Sequence, residues 1–257
     1  MDLNLPPFKI SDTKAIDWDD PEFLFKAVVD EYYKTLKSFD PKYNPNVDQE
    51  MWMDAMKGPD HLATSLIGEP LMYPRIDDLM YLGKKHGMTT FIVTNGTFPR
   101  VLENMHTLPH QLYVSVVGPD YKIWSRITRP LWSAREQWND LLRTLELIPS
   151  LGIRVVFRIT AVKGYNMVYP EKYARLIDIA QPDFVEVKGY SWVGRSRERL
   201  PRTAQPTMED VRSFAMMLED LTSYEIKDEV PRARVVLLWN GKTPLELRPR
   251  NYRNVYK

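Results

Sequence analysis

Short apolar segments alternate with amphipathic helical patterns along most of this chain, and this alternation constrains its fold more than any other feature. Strands separated by helices require parallel crossover connections, so the pattern predicts an α/β sheet or barrel. The expected strands cover residues 62–67, 89–94, 112–117, 154–162, 184–188 and 234–239. The expected helices cover residues 22–39, 76–86, 99–105, 133–148, 173–180 and 207–221.

Start signals of helices support this division of the chain. Asp20 is expected to cap a helix that Pro21 opens. Ser133 and Glu136 have the spacing of a capping box, in which two side chains satisfy backbone N–H groups. We find no internal repeat or linker, so residues 1–257 are expected to form one domain, with an irregular segment at 1–17 and a basic tail at 241–257.

Composition excludes several classes of protein. The 257 residues contain no cysteine, which excludes disulfides, thiolate nucleophiles and thiolate-held metal or iron–sulfur sites. Only four histidines are present, and no cysteine accompanies them, so no protein metal site is expected. Neither a run of ~18 apolar residues nor a secretory signal is present. We therefore expect a cytoplasmic protein without a membrane partner, of unspecified oligomeric state.

Polar side chains lie on one face of several strands that are otherwise apolar. Side chains alternate along a strand, so Arg158 and Thr160 share one face, as do Glu186 and Lys188. Strands of parallel sheets are usually apolar on both faces, so this pattern predicts a ligand site at the carboxyl ends of the strands. Buried ion pairs of Glu186 with Arg158 or Lys188 are the alternative. The polar positions are Glu69, Asn95, Tyr113, Ser115, Arg158, Thr160, Glu186 and Lys188.

Several strings, in matching order along the chain, resemble a known family. The segment Ser65 to Pro74 is similar to the Gly-Gly-Glu-type segment of radical S-adenosylmethionine enzymes, in the S-L-x-G-E-P-x-x-Y-P form of the wyosine-biosynthesis branch. Residues 90–97, 111–116, 162–167 and 184–196 resemble later strands of that branch, and residues 18–23 resemble the run after its cluster-binding loop. From residue 18 to residue 239, the chain resembles the tRNA 4-demethylwyosine synthase family.

The resemblance implies a fold and a reaction. The fold would be a partial (β/α)6 TIM-like barrel of the radical S-adenosylmethionine type, with its first strand missing or replaced by residues 3–10. The family uses S-adenosylmethionine, a 4Fe-4S cluster and pyruvate to build a third ring on N1-methylguanosine at position 37 of phenylalanine tRNA.

The resemblance also implies roles for individual residues. Gly68, Glu69 and Pro70 would meet the amino group of the cofactor, and Arg158 would suit its carboxylate. Glu186 and Lys188 would be the catalytic residues at the substrate end of the barrel. The full cofactor-binding set is Gly68, Glu69, Pro70, Thr94, Asn95, Ser115, Arg158 and Thr160.

The sequence departs from the family at its cluster. The C-x-x-x-C-x-x-C loop and the lysine thought to capture pyruvate both precede the run at Trp18 in the family, and this chain has no cysteine there or elsewhere. A cluster that reduces the cofactor needs thiolate ligands. In order of preference, the explanations are a truncated chain, a cluster-less relative that binds tRNA or S-adenosylmethionine, and a separate polypeptide that supplies the cluster.

A basic, aromatic segment points to RNA as the partner. The net charge is +1, yet residues 188–202 hold five basic residues against Glu198. Aromatic rings can stack on an extruded base while cations meet phosphates. The expected RNA-binding residues are Tyr190, Trp192, Arg195, Arg197, Arg199 and Arg202, whereas the tail is expected to be solvated.

Two other functions compete with this interpretation. The first is an unrelated aldolase-type barrel, with Lys188 forming a Schiff base and Glu186 shuttling a proton. The second is a non-catalytic module that binds RNA whether or not S-adenosylmethionine is present.

Overall fold

The computed structural model describes residues 17–65, 68–130 and 132–247. Its contacts divide the chain into two compact units, and the division falls inside one strand. The described part of the smaller unit covers residues 17–65, 68–92, 105–110 and 246–247, and that of the larger unit covers residues 93–104, 111–130 and 132–245. Organisation as a single domain remains a prediction.

The smaller unit contains three helices and a pair of parallel strands. Leu62 and Thr90 are partners in this pair. Gly83 packs so closely on the strands that an added Cβ would lie 2.6 Å from Cγ2 of Thr90, which explains why a helix interior carries glycine here. The elements are α1 (Pro21–Ser38), α2 (Gln49–Ala55), β1 (His61–Thr64), α3 (Ile76–Lys85) and β2 (Thr89–Thr94), whose last two residues belong to the larger unit.

The larger unit contains a mixed sheet with helices on one face. Strands β3, β4 and β5 are parallel, whereas β7 is antiparallel to β5 and β6 is antiparallel to β7. The sheet is open, so the barrel is partial and the predicted α/β class is confirmed. The elements are α4 (Pro99–Glu103), β3 (Gln111–Ser115), α5 (Tyr121–Thr128), α6 (Ala134–Leu147), β4 (Arg154–Ala161), α7 (Pro170–Ala180), β5 (Phe184–Gly189), α8 (Met208–Leu221), β6 (Glu225–Val230) and β7 (Val235–Trp239).

The apolar face of the larger sheet is buried under helices, as the alternation of side chains predicts. Val155, Phe157 and Ile159 of β4 are all buried. Above this face, the rings of Tyr173 in α7 and Phe214 in α8 meet edge to face, with centroids 5.7 Å apart. The opposite face of β3, β4 and β5 therefore remains for polar side chains.

Several sequence predictions differ from the structure. Helices α2 and α5 and strand β6 were not predicted, and β6 returns the chain so that β7 joins antiparallel rather than parallel. Ser133 does not cap α6 with its side chain, because its backbone has a φ of 16°. Thr207 and Asp210 do form a capping box at the start of α8.

Other predictions fall on residues outside the described part. These are the replacement strand at residues 3–10, the end of the first predicted strand at 66–67, and the tail beyond residue 247. Among the described helices, none combines the length and apolar character needed to cross a membrane.

Asn166 joins the carboxyl ends of β3 and β4. Its fully buried side chain donates two hydrogen bonds from Nδ2, each 2.8 Å long, to the carbonyl oxygens of Val117 and Thr160. Its Oδ1 accepts a 2.6 Å hydrogen bond from the N–H group of Val162. This one amide therefore satisfies three backbone groups where the two strands end.

We expect Asn166→Ala to lower the free energy of unfolding by about 2–4 kcal/mol, because it leaves three buried backbone groups without partners. Urea unfolding at neutral pH measures the change. The control is Asn104→Ala, which removes one exposed hydrogen bond and should cost less than about 0.5 kcal/mol. Equal costs for the two variants would contradict the role of Asn166.

Candidate functional site

The polar face of the larger sheet is set by the register of its parallel strands. Ser115 is the partner of Arg158, and Arg158 is the partner of Glu186. One step further along, Thr160 is the partner of Lys188. Partners in parallel strands point to the same side, so these five side chains form one surface. We call it the polar face.

Arg158 and Glu186 form an ion pair on the polar face. The Nε atom of Arg158 lies 2.7 Å from Oε1 of Glu186, and Nη2 donates a 3.2 Å hydrogen bond to Oε2. Their side chains are only 20% and 13% exposed. The guanidinium also stacks on the ring of Tyr113, 4.2 Å from its centroid. The sequence pattern had two interpretations, a ligand site or a buried ion pair of Glu186. The ion pair between Arg158 and Glu186 is present, and it fixes the orientation of Arg158.

Tyr113 presents a neutral hydroxyl beside this pair. Burial, reinforced by the negative charge of Glu186, raises the pKa of Tyr113 above its usual value. The phenol therefore keeps its proton at neutral pH and can donate a hydrogen bond.

Lys188 extends from the exposed edge of the polar face. Its side chain forms no hydrogen bond or ion pair within residues 17–65, 68–130 and 132–247. It lies one register step beyond the ion pair, beside Thr160. An amine in this position can meet an anionic group of a ligand.

The turn after β2 displays Asn95. Thr94 is buried, and its Oγ1 accepts a 3.0 Å hydrogen bond from the N–H group of Gly96. Gly96 has a φ of 76°, and an added Cβ would lie 2.6 Å from Leu141, so only glycine fits. Asn95 is exposed, and its Oδ1 accepts hydrogen bonds from both the N–H and the hydroxyl of Thr97. Thr94 therefore stabilises the turn from the interior, whereas Asn95 lies at the surface of the turn.

Gly68, Glu69 and Pro70 form a turn in the smaller unit. Gly68 has a φ of 83°, and the space around it is open. Oε1 of Glu69 accepts a 3.1 Å hydrogen bond from the N–H group of Leu71, which caps the short helical turn Pro70–Met72. The cofactor-binding roles of these three residues remain predictions.

The loop after β5 has a small core of its own. Tyr190 is only 8% exposed and packs with Val162 and Ala204. Trp192 packs against this group, and its Nε1 donates a 2.9 Å hydrogen bond to the carbonyl oxygen of Leu200. Both predicted stacking residues therefore hold the loop together, and the ring of Tyr190 offers little surface to a base.

The basic side chains that the structure describes in this loop are exposed. Arg197 lies over the ring of Trp192, 4.9 Å from its centroid, and is exposed, as are Arg199 and Arg202. The side chain of Arg195 lies outside the described part. Binding of RNA by these residues remains a prediction.

Sequence reasoning missed a second group of basic residues. A cavity of about 250 Å³ is lined by Arg126 and Arg129, which come from α5 and the residue that caps it, and by Tyr165 and Arg199. The spacing of two arginines three apart on a short helix was the available signal. The sequence analysis also missed that Asn166 joins the ends of β3 and β4, although Asn166 lies in a string that resembles the family.

The residues of this chain do not fit an iron–sulfur cluster. A 4Fe-4S cluster is held by cysteine thiolates, and the 257 residues contain none. Within the described residues, no group of three histidine, aspartate or glutamate side chains is placed to hold a metal ion.

Comparison with protein families defines the class of this fold. Residues 46–177 match the radical SAM superfamily, and residues 179–240 match the family described as wyosine base formation. The two matches together span α2 to β7 of the described structure. The class of protein is therefore a radical S-adenosylmethionine α/β fold with a wyosine-specific second part.

Curated relatives narrow the class. The chain is 44% identical to the S-adenosyl-L-methionine-dependent tRNA 4-demethylwyosine synthase of Pyrococcus abyssi over 86% of its own length and 64% of the relative. It is 31% identical to the synthase of Methanocaldococcus jannaschii over 90% of its own length and 71% of the relative. The chain belongs to the tRNA 4-demethylwyosine synthase family.

Solved structures agree with this assignment. A structure of TYW1 with a lysine-pyruvate adduct bound has a TM-score of 0.78 and 29% identity, covering 88% of this chain and 72% of that one. A crystal structure of archaeal TYW1 has a TM-score of 0.74 and 27% identity, covering 90% and 74%. Family membership also shows that the alternative of an unrelated aldolase-type barrel is wrong.

Glu186→Gln should lower the free energy of unfolding by about 1–3 kcal/mol, because it leaves a half-buried guanidinium without its counter-charge. In a double-mutant cycle with Arg158→Gln, we expect a coupling energy of about 1 kcal/mol or more.

Urea unfolding of the four proteins gives the coupling. The matched control is the exposed pair Arg143 and Glu103, joined at 2.9 Å, whose coupling should stay below about 0.5 kcal/mol. Additive effects at Arg158 and Glu186 would contradict an energetically significant pair.

Proposed function

We propose that this chain is the S-adenosylmethionine-binding and tRNA-binding part of a tRNA 4-demethylwyosine synthase. The observation that carries the proposal is the alignment of Ser115, Arg158 and Glu186 on the polar face of a chain from this family. The chain spans 64% of the length of the Pyrococcus abyssi relative. The activity of the whole enzyme is therefore part of the proposal.

Arg158 is proposed to bind the carboxylate of the cofactor. Its contacts with Glu186 use Nε and Nη2, so Nη1 remains to donate to a second carboxylate. Glu186 holds the guanidinium in place and lowers the entropy lost when a ligand binds. A charge-assisted hydrogen bond of this kind is about twice as strong as a neutral one.

Other predicted residues would meet the remaining parts of the cofactor. Glu69 and the carbonyl groups of Gly68 and Pro70 suit an ammonium, because they are hydrogen-bond acceptors. Asn95, Ser115 and Thr160 offer polar groups to the ribose hydroxyls. Thr94 would act indirectly, by holding the turn that displays Asn95.

Lys188 and Glu186 are proposed to face the substrates. The proposed substrates are pyruvate and N1-methylguanosine at position 37 of phenylalanine tRNA. The ammonium of Lys188 can attract the carboxylate of pyruvate or a phosphate of RNA, since both are anionic. In this proposal the two residues bind and orient substrate groups, and no step passes through a cluster that this chain cannot ligate.

The loop after β5 is proposed to contact tRNA. Arg197, Arg199 and Arg202 are exposed and can meet phosphates, while the packing of Tyr190 and Trp192 keeps the loop in shape. Arg195 is assigned to the same surface from the sequence. A cytoplasmic location is also proposed, because tRNA is the partner.

A second candidate is a non-catalytic relative that binds tRNA and S-adenosylmethionine. The specific observation that favours it is the absence of cysteine from the 257 residues. Both candidates require the cofactor to bind, and they differ in whether the chain gains activity when a cluster-bearing polypeptide is added.

We expect Arg158→Gln to weaken binding of S-adenosylmethionine by about tenfold or more, because it removes a charge-assisted contact. Isothermal titration calorimetry of the full chain measures the affinity. Arg154→Gln is the matched control: Arg154 lies on the same strand and face, but its Nη1 and Nη2 donate to the carbonyl oxygens of Pro244 and Leu245 at 2.6 and 2.7 Å.

The control should change the affinity by less than about twofold. A wild-type chain that does not bind S-adenosylmethionine, or equal losses in the two variants, would overturn the proposed cofactor site.

A further inference from the structure

A basic cavity lies where α5 and the loop after β5 approach the end of β4. It has a volume of about 250 Å³ and is lined by apolar, aromatic and basic side chains. The lining residues are Arg126, Ile127, Arg129, Val162, Tyr165, Ser196, Arg199 and Leu200.

The three arginines of this cavity have no acidic partner among the residues that the structure describes. Arg126, Arg129 and Arg199 are exposed and form no ion pair within the described residues. Arg126 instead lies over the ring of Tyr165, 5.6 Å from the centroid, which holds its guanidinium at the cavity. Three like charges around one hollow give it a positive potential, which favours binding of an anion.

Helix electrostatics explains only part of this arrangement. Cations are favoured at a helix C-terminus, which accounts for Arg126 and Arg129 at the end of α5. Arg199 comes from a separate loop more than sixty residues later in the chain. Arginines from α5 and from the loop after β5 therefore line one cavity, and such an arrangement is typical of an anion-binding site.

The size of the cavity and the type of its cations indicate the ligand. Pockets for drug-sized molecules usually exceed ~300 Å³, so this cavity suits a small anionic group with part of its attached sugar. Arginine presents paired donors that match the oxygens of a phosphate. Tyr165 and the adjacent apolar residues can pack against a ribose.

We propose that Arg126, Arg129, Arg199 and Tyr165 bind a backbone phosphate of the RNA substrate. This inference rests on the proposed function and deepens it, because it assigns new residues to RNA binding outside the loop predicted from sequence. S-adenosylmethionine contains no phosphate, so the ligand comes either from RNA or from a free nucleotide. The exposure of all three arginines and the continuity of the cavity with the basic loop favour RNA.

The test measures binding of a stem-loop RNA that carries the tRNA anticodon arm. We expect Arg126→Gln combined with Arg129→Gln to weaken binding about tenfold at ~0.1 M salt. The slope of log affinity against log salt should fall by about 0.7 for each single-strand phosphate that the variant no longer neutralises. The control is Arg175→Gln, an exposed arginine on α7, which should leave affinity and slope unchanged.

A second arm identifies the phosphate itself. Each RNA in a series carries a neutral methylphosphonate in place of one phosphate. One of these RNAs should bind the wild-type chain about tenfold more weakly than unmodified RNA does. The double variant should bind that same RNA as tightly as it binds unmodified RNA. Binding of S-adenosylmethionine to the double variant should match that of the wild type, which shows that the fold is intact.

The outcomes separate the inference from the proposed function. If the wild-type chain binds RNA and the double variant binds equally well, the inference is overturned while the proposed function stands. If the wild-type chain binds no RNA, both fail. A further outcome is that adenosine monophosphate competes with RNA for the wild-type chain but not for the double variant, while both proteins bind RNA with the same affinity. This result would assign the cavity to a free nucleotide and overturn the inference.

Discussion

The parallel register of β3, β4 and β5 is the constraint on which the rest of the site depends. It aligns Ser115, Arg158 and Glu186 across three strands and sets Thr160 beside Lys188. A shift of one residue in any of these strands would turn its polar side chains toward the helices. The apolar residues between them, such as Phe157 and Val187, would then face solvent.

Contacts among the protein's own side chains and backbone hold the ends of these strands and the turn after β2. Asn166 ties the ends of β3 and β4 together, and Gly96 with Thr94 shapes the turn that displays Asn95. Glu186 and the ring of Tyr113 restrain Arg158. Of the residues predicted to bind the cofactor, Asn95 and Arg158 are therefore held in place by their neighbours, which reduces the entropy lost on binding.

The chain differs from its family at the cluster. Its polar face and its basic cavity carry the charges and hydrogen-bond donors that the proposed binding of ligands requires. Electron transfer to a sulfonium requires iron held by thiolates, and none of the 257 residues is a cysteine.

The central strands could be predicted from the sequence because each is a short segment rich in β-branched and aromatic residues; Thr89–Thr94 has the expected bounds. Strand β6 was missed because four of its six residues are charged, in the sequence EIKDEV, and it lies at the edge of the sheet. The Ser133 cap failed because a capping pattern does not determine the backbone angles of the preceding loop. The burial of Tyr190 depends on Val162 and Ala204, which are distant in sequence, so composition alone pointed to a stacking surface.

Hydrogen exchange of the full chain with and without S-adenosylmethionine tests the central claim most directly. The account predicts that the cofactor slows amide exchange at the carboxyl ends of β3, β4 and β5, in residues 115–118, 158–163 and 186–191. It predicts no change at the starts of the same strands, around Gln111, Arg154 and Phe184. Protection confined to the starts of the strands or to the helix-covered face, in a sample that binds the cofactor, would contradict the account.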